Sequence, residues 1–238
     1  MIFMKQFLKL DIELTQKNLI RGQVTMDIRS KWQGKKVNFL GDSITAGLLT
    51  TIIYHEIIKE KLGLEIARNY GISGTRIAKH SEDEGSSMST RFSEMEDDAD
   101  LILVFAGTND FGHDNAPIGN FDNRNNSTFY GACHVLMQGL IEKYYKKTIA
   151  FMTPIHRDFY EDVSYETNKS GNTLKQYVNI IKEVAEYYAI PVLDLYAVSG
   201  MQPKVEIIKN YYMPDGLHPN EAGHEKLAEK IIYFMETL

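Results

Sequence analysis

Cysteine occurs once in this chain, at Cys133, so no disulfide can form within it. Cys133 falls in the helix-like stretch from Phe129 to Tyr145 and reads as a small apolar core residue rather than a nucleophile. No Cys-rich or His-x-x-x-His pattern marks a structural metal, and none is expected. Long hydrophobic runs are also missing, so no membrane span is expected. The opening residues Met1 to Leu10 are largely apolar, but Lys5 and Lys9 interrupt them and Asp11 and Glu13 follow. That pattern does not fit a secretory leader. A cytoplasmic location is the expectation, with export by a non-Sec route left open. Basic residues are in the minority: 26 Lys and Arg against 32 Asp and Glu give a net charge of −6. A clustered basic face for phosphate binding is therefore not expected, nor is a nucleic-acid partner. The basic run Lys143 to Lys147 reads as the solvated end of a helix. No internal repeat or low-complexity tract appears.

The 238 residues, 43% hydrophobic and 24% charged, suffice for one α/β domain with a sizeable core. Short apolar runs alternate with helix-like segments. Strands are expected at Val37–Leu40, about Glu65–Asn69, Leu101–Phe105, Thr148–Met152 and Pro191–Leu195. Between them lie helices at about Thr45–Leu62 (ending at Gly63), Ser87–Glu96, Thr128–Lys146 and Asn172–Tyr188, and a last one at Asn220–Thr237. Such alternation implies a parallel sheet with right-handed crossovers. Residues 111–127 are polar and rich in Asn, Asp and Gly, so a long loop is expected there, walling any site at that sheet edge. Residues 1–34 read as a separate N-terminal arm before a domain at 35–238. The segment Leu8–Leu14 alternates apolar and polar, which fits an edge strand or hairpin arm. The arm is a candidate for homo-oligomer contact or for packing on its own domain.

Chemistry concentrates where strands end. Gly41-Asp42-Ser43-Ile44 follows the first strand, and Asn69-Tyr70-Gly71-Ile72-Ser73-Gly74 follows the second. The third strand leads into Gly107-Thr108-Asn109-Asp110, and Asp215-Gly216-Leu217-His218 comes late in the chain. Open α/β sheets place their ligand sites at these carboxyl ends. A serine hydroxyl is a poor nucleophile until a base takes its proton. His218 is the candidate base for Ser43. Asp215, separated from it by only two residues, can meet it across one turn and orient it. Asp42 and Asp110 are expected to cap or tie turns through backbone N–H groups.

The four segments, present in order, resemble the blocks of the GDSL or SGNH hydrolases, over roughly residues 35 to 238. The resemblance implies a three-layer α/β/α sandwich, with a five-stranded parallel sheet of flavodoxin-like order 2-1-3-4-5. It also implies an esterase or acylhydrolase with the triad Ser43, Asp215 and His218 and no cofactor. The oxyanion donors it implies are the backbone N–H of Ser43, the backbone N–H of Gly74 and the side-chain amide of Asn109. Residues 41 to 45 lack the Gly-x-Ser-x-Gly pattern of the α/β-hydrolase elbow.

His113 in the wall loop, and His156 and Arg157 after the fourth strand, are candidates for substrate contact. No long amphipathic lid is visible, and the polar wall favours short acyl groups on a polar carrier such as a sugar. The small-molecule or carbohydrate ester is thus the expected partner. Two other uses of this apparatus fit the same residues: an acyltransferase passing the acyl group to an alcohol, and a non-catalytic module that binds a ligand.

Overall fold

A computed structural model describes residues 30–80, 86–159 and 166–238. The alternating segment Leu8–Leu14, and most of the N-terminal arm with it, lies outside the described residues. Five strands form one parallel sheet: β1 (Lys36–Gly41), β2 (Ile66–Gly71), β3 (Leu101–Phe105), β4 (Thr148–Met152) and β5 (Val192–Leu193). Their order is β2-β1-β3-β4-β5. The fold is the three-layer sandwich expected from the sequence.

β3 sits at the centre, and all five of its side chains are buried. Strand alternation sends them to opposite faces. Ile102 and Val104 join one apolar layer, whereas Leu101, Leu103 and Phe105 join the other. A strand buried on both faces reads as a continuous apolar run, which is why Leu-Ile-Leu-Val-Phe was legible. The first layer packs under α5 (Phe129–Lys143) and α6 (Leu174–Tyr187), with Phe129, Leu136, Tyr177 and Ile181 fully buried. Thr173 opens α6 with a reciprocal capping box to Gln176. The second layer packs under α2 (Tyr54–Leu62) and α9 (Glu221–Met235) through Ile58, Leu227 and Ile231. Trp32 joins this layer, and its indole N–H donates to the Met235 carbonyl at 2.9 Å.

Three local expectations need correction. The helix expected over 45–62 is two helices, α1 (Ser43–Ala46) and α2. Gly47 closes α1 in the left-handed region at φ 86°, and Leu49 follows at φ 65°, so the chain turns before it can continue as helix. The wall loop begins later than expected, because α4 (Thr108–His113) occupies its start. The basic run at the end of α5 is not wholly solvated. Tyr144 is buried, and its hydroxyl donates to the Glu96 carbonyl at 2.8 Å. The remaining helices are α3 (Met88–Arg91), α7 (Leu195–Val198) and α8 (Glu206–Tyr212). Among the described residues, no helix is long and apolar enough to cross a membrane.

The second layer also holds two histidines. The His224 ring stacks on Tyr54 with planes 5° apart, and its Nδ1 accepts the Tyr54 N–H at 3.2 Å. That bond requires Nδ1 to be unprotonated, so the ring is neutral. Burial, with His55 nearby, pushes the His224 pKa down from 6.5 to about 4. Burial lowers His55 as well. The unfolded chain therefore takes up the His224 proton first as pH falls. Stability from the neutral ring is complete above the unfolded value and is lost on acidification towards about pH 4. Between pH 7 and 5 this amounts to about 2 kcal/mol. Asp42 and Asp110, whose carboxyls are raised, contribute with the opposite sign over part of this range, so a variant comparison isolates the ring. His224→Asn keeps an acceptor for Tyr54 but removes the titration. Urea unfolding should show the wild-type advantage over this variant shrinking from pH 7 to pH 5. Stability curves that stay parallel across that range would refute the assignment.

Candidate active site

Ser43 is the first residue of α1, directly after β1. Asp42 is the N-cap, and its carboxylate accepts the Ile44 N–H at 3.0 Å. This bond orders the turn and leaves Ser43 at a helix N-terminus, where first-turn N–H groups have no intrahelical acceptor. Ser43 Oγ lies 2.9 Å from His218 Nε2. On the far side of the ring, His218 Nδ1 lies 2.6 Å from Asp215 Oδ2. The other carboxylate oxygen, Asp215 Oδ1, accepts the backbone N–H groups of Leu217 and His218 at 2.8 and 2.7 Å. Burial would raise the Asp215 pKa. The hydrogen bonds from the His218 ring and the two backbone N–H groups outweigh it, holding the carboxyl below its usual range.

The turn that carries His218 is clasped from outside by the segment after β4. Asp158 N–H donates to the Gly216 carbonyl at 2.8 Å. Lys209 Nζ pairs with Asp158 Oδ2 at 2.9 Å and donates to the Asp158 carbonyl at 3.1 Å.

Gly74 and Asn109 line the same cleft as Ser43 and His218, a space of about 330 Å3. The Thr75 N–H reaches back to the Ile72 carbonyl at 3.3 Å, closing a four-residue turn with Gly74 third at φ 76°. A side chain is strained at that angle, and glycine is not. Asn109 stands in the first turn of α4, and its amide donates to the Thr75 carbonyl at 3.0 Å. An amide nitrogen carries two N–H donors, so the second remains for the cleft.

His113 and Arg157 also line this cleft. The Arg157 guanidinium lies against Phe111 and Phe159, with its central carbon 5.5 and 5.8 Å from their ring centroids. It donates to the Thr108 carbonyl at 3.0 Å. His156 does not reach the cleft. It stacks on Tyr196, centroids 3.8 Å apart, and lines a neighbouring space. The structure thus brings together Ser43, Gly74, Asn109, His113, Arg157 and His218, with Asp215 behind the imidazole, and leaves His156 outside.

Asp42 and Asp110 carry the cost of burial. Burial raises each carboxyl to about 6. The Ile44 N–H, with His218, Arg157 and Arg91, restrains Asp42. The N–H groups of Ala78 and Ile77, with Arg76, restrain Asp110. Asp110 accepts those two N–H groups at 2.9 and 3.0 Å, which joins α4 to the segment following the Gly74 turn.

Comparison with known proteins gives two kinds of match. A sequence model described as the GDSL-like Lipase/Acylhydrolase family matches residues 39–226. A solved protein from Lactobacillus plantarum is 34% identical with a TM-score of 0.80, covering 86% of this chain and 98% of its own. A possible lipase from Chitinophaga pinensis is 23% identical with a TM-score of 0.67, covering 85% and 98%. An acetyl-xylooligosaccharide esterase from Geobacillus Stearmophilus is 20% identical with a TM-score of 0.55, covering 84% and 94%. Those last two likenesses concern the fold alone. No curated protein matches the chain.

Arg91 has no place in the motif blocks, yet it joins two of their segments, those at Gly41 and at Tyr70. Its Nη2 donates to the Gly41 carbonyl at 2.8 Å and to Thr75 Oγ1 at 3.3 Å. Its Nη1 donates to the Tyr70 carbonyl at 2.7 Å, and its Nε to the Ser86 carbonyl at 2.9 Å. The side chain is buried, and hydrogen bonds from a charged donor contribute about 1.5–3 kcal/mol each, so removing it destabilises the fold even though the Gly41 carbonyl keeps the Ile72 N–H at 3.2 Å. It would also free the Ser43 turn and the Gly74 turn to shift relative to one another. Misplacement by 1 Å can cost about a hundredfold in rate. Arg91→Met should lower the melting temperature and cut kcat on a small aryl ester far more than it raises KM. Arg91→Lys, which keeps the charge but not the fork, should recover stability in part and kcat less. A stably folded Arg91→Met enzyme with wild-type kcat would remove this role.

Proposed function

The chain belongs to the GDSL-like lipase/acylhydrolase family, and on that premise we propose that it hydrolyses carboxylic esters through an acyl-enzyme on Ser43. The row of contacts from Asp215 through His218 to Ser43 Oγ, at 2.6 and 2.9 Å, carries this reading. Asp215 accepts the Nδ1–H of the imidazole, which leaves Nε2 as the acceptor facing the serine hydroxyl. As Ser43 Oγ bonds to the ester carbonyl carbon, its proton passes to Nε2. The imidazolium so formed is stabilised by the Asp215 carboxylate, which stays ionised. The carbonyl oxygen becomes an oxyanion, and the N–H groups of Ser43 and Gly74 and the free amide N–H of Asn109 stabilise it.

Collapse of the tetrahedral intermediate breaks the bond to the alkoxide. The leaving oxygen takes the proton from His218 Nε2 and departs as the alcohol. Water then enters, gives a proton to the same Nε2 and attacks the acyl carbon. Breakdown of this second intermediate returns the proton to Ser43 Oγ and releases the acid. No step needs a cofactor.

The substrate is best read as a short acyl group on a polar carrier, sugars included. Polar side chains line one part of the cleft: Ser73, Asn109, His113, Thr167, Asn168 and Lys169. Leu48, Phe111, Phe159 and Leu217 supply apolar surface within the same space, enough for a short acyl chain. The fold likeness to an acetyl-xylooligosaccharide esterase is compatible with a saccharide carrier.

Two measurements test the mechanism. A fluorophosphonate should label Ser43, as mapped by mass spectrometry; an adduct at another serine of an active preparation would overturn the assignment. Asn109→Ala should lower kcat by about a hundredfold to a thousandfold, the usual loss for one oxyanion donor. It should change KM little. Near-normal kcat in a folded variant would show that the amide serves only Thr75.

A further inference from the structure

The catalytic cleft adjoins a second one. Phe111 and Arg157 line both, and the second space, about 340 Å3, runs on towards Lys175, Tyr196 and Lys204. The mechanism above uses none of its groups. Its size is that of the catalytic cleft itself, large enough for sugar-sized groups.

Its charge is unlike that of the whole chain. The sequence has 26 Lys and Arg against 32 Asp and Glu. Among the described residues lining the two clefts, Arg157, Lys169, Lys175 and Lys204 stand against one carboxylate, Glu166. Nearby Asp194 is paired to Lys182 at 2.5 Å. Two of the cations are held in place. Arg157 lies against the Phe111 and Phe159 rings and donates to the Thr108 carbonyl, and the Lys175 ammonium sits 5.0 Å over the Tyr196 ring. A half-buried His156, stacked on Tyr196, senses the same field: burial lowers its pKa first, and Lys204 and Lys175 lower it further. A concave surface of one sign focuses potential and selects ligands of the other sign. In an otherwise acidic protein, such a surface discourages neutral carriers less than it rewards anionic ones.

We propose that this second cleft is a subsite for the carrier of the ester, and that the carrier is an anionic saccharide whose carboxylate or phosphate is met by Arg157, Lys175 and Lys204. This rests on the reading of Ser43 as an ester-cleaving nucleophile. The acyl group then occupies the space at Ser43, Gly74 and Asn109. The leaving alcohol points past Phe111 and Arg157, and the sugar that bears it extends into the basic cleft. Such a substrate is made by reactions that esterify hydroxyls of acidic polysaccharides or sugar phosphates.

Binding of unesterified carriers tests the subsite without relying on turnover. Three probes are titrated calorimetrically into the full-length protein: a trimer of galacturonic acid, neutral xylotriose, and xylose 1-phosphate. At least one anionic probe should bind about tenfold or more tighter than xylotriose, the worth of two partly screened charge contacts. That preference should shrink as salt is added. Which anionic probe wins distinguishes carboxylate from phosphate. Lys175→Gln combined with Lys204→Gln should abolish the preference, whereas Lys59→Gln on α2, with half that change in net charge, should leave it intact. Xylotriose binding as tightly as both anions, binding by none of the three, or an unaltered preference in the double variant would each overturn the subsite. A separate assay on p-nitrophenyl acetate keeps the two readings apart. Absence of turnover there counts against the ester mechanism, while the titrations still decide the subsite.

Discussion

Gly41 and Gly71 lie opposite each other in the register of β1 and β2, and the position of Ser43 depends on neither having a side chain. A Cβ on Gly41 would stand 2.0 Å from Thr45 Oγ1 and 2.9 Å from the Phe105 carbonyl oxygen. One on Gly71 would stand 2.2 Å from the Ala46 N. Both obstacles include or adjoin the four-residue helix that begins at Ser43. Helix α1 is therefore seated directly on the ends of two neighbouring strands, closer than any other residue type allows. The height of Ser43 above the sheet edge, and hence its reach to His218, follows from that contact. Everything else at the site is arranged around a serine whose position is fixed from below.

Buried charge is the second constraint, and it works through backbone rather than through catalysis. Asp42 and Asp110 are both buried with carboxyls raised to about 6, so at neutral pH each holds a charge that burial disfavours. What each gains is a set of N–H donors: Ile44 for Asp42, Ile77 and Ala78 for Asp110. Hydrogen bonds to a carboxylate are stronger than those between neutral groups. Arg91 supplies positive charge near Asp42 while donating to carbonyls on β1 and β2. The turns after β1, β2 and β3 are thereby locked together by ionised groups that touch no reacting atom.

This division explains what the sequence made legible. The strands were readable because β3 and β4 are buried on both faces, and the Asp215–His218 segment because only two residues separate the pair in one turn. Asp42 and Asp110 were recognisable as turn-tying residues from their places after strand ends. Arg91 was not. Its partners lie 50 and 21 positions away at Gly41 and Tyr70, and they are carbonyls, which every residue has. No side-chain pattern can announce such a role. The break between α1 and α2 was hidden for a different reason. The apolar spacing of 45–62 suits a helix, and the left-handed residues Gly47 and Leu49 override it. His156 follows the same strand end as Arg157, but its ring turns onto Tyr196 and lines the second space rather than the cleft at Ser43.

Asp215 shows how closely fold and chemistry are joined here. One of its oxygens receives two backbone N–H groups and so shapes the Asp215–His218 turn. The other receives the imidazole. A carboxylate that only oriented a histidine could be neutralised at the expense of rate alone. In this turn the same change weakens the hydrogen bonds that set the His218 backbone, because a neutral acceptor holds N–H groups less strongly. The strap from Asp158 to Gly216 and Lys209 braces the turn from the opposite side. That strap belongs to the segment after β4, the same segment that carries Arg157 into the junction of the two clefts. The places of His218 and Arg157 are thus fixed by one stretch of chain, so under the proposed mechanism and subsite a shift there would alter proton transfer and carrier binding together.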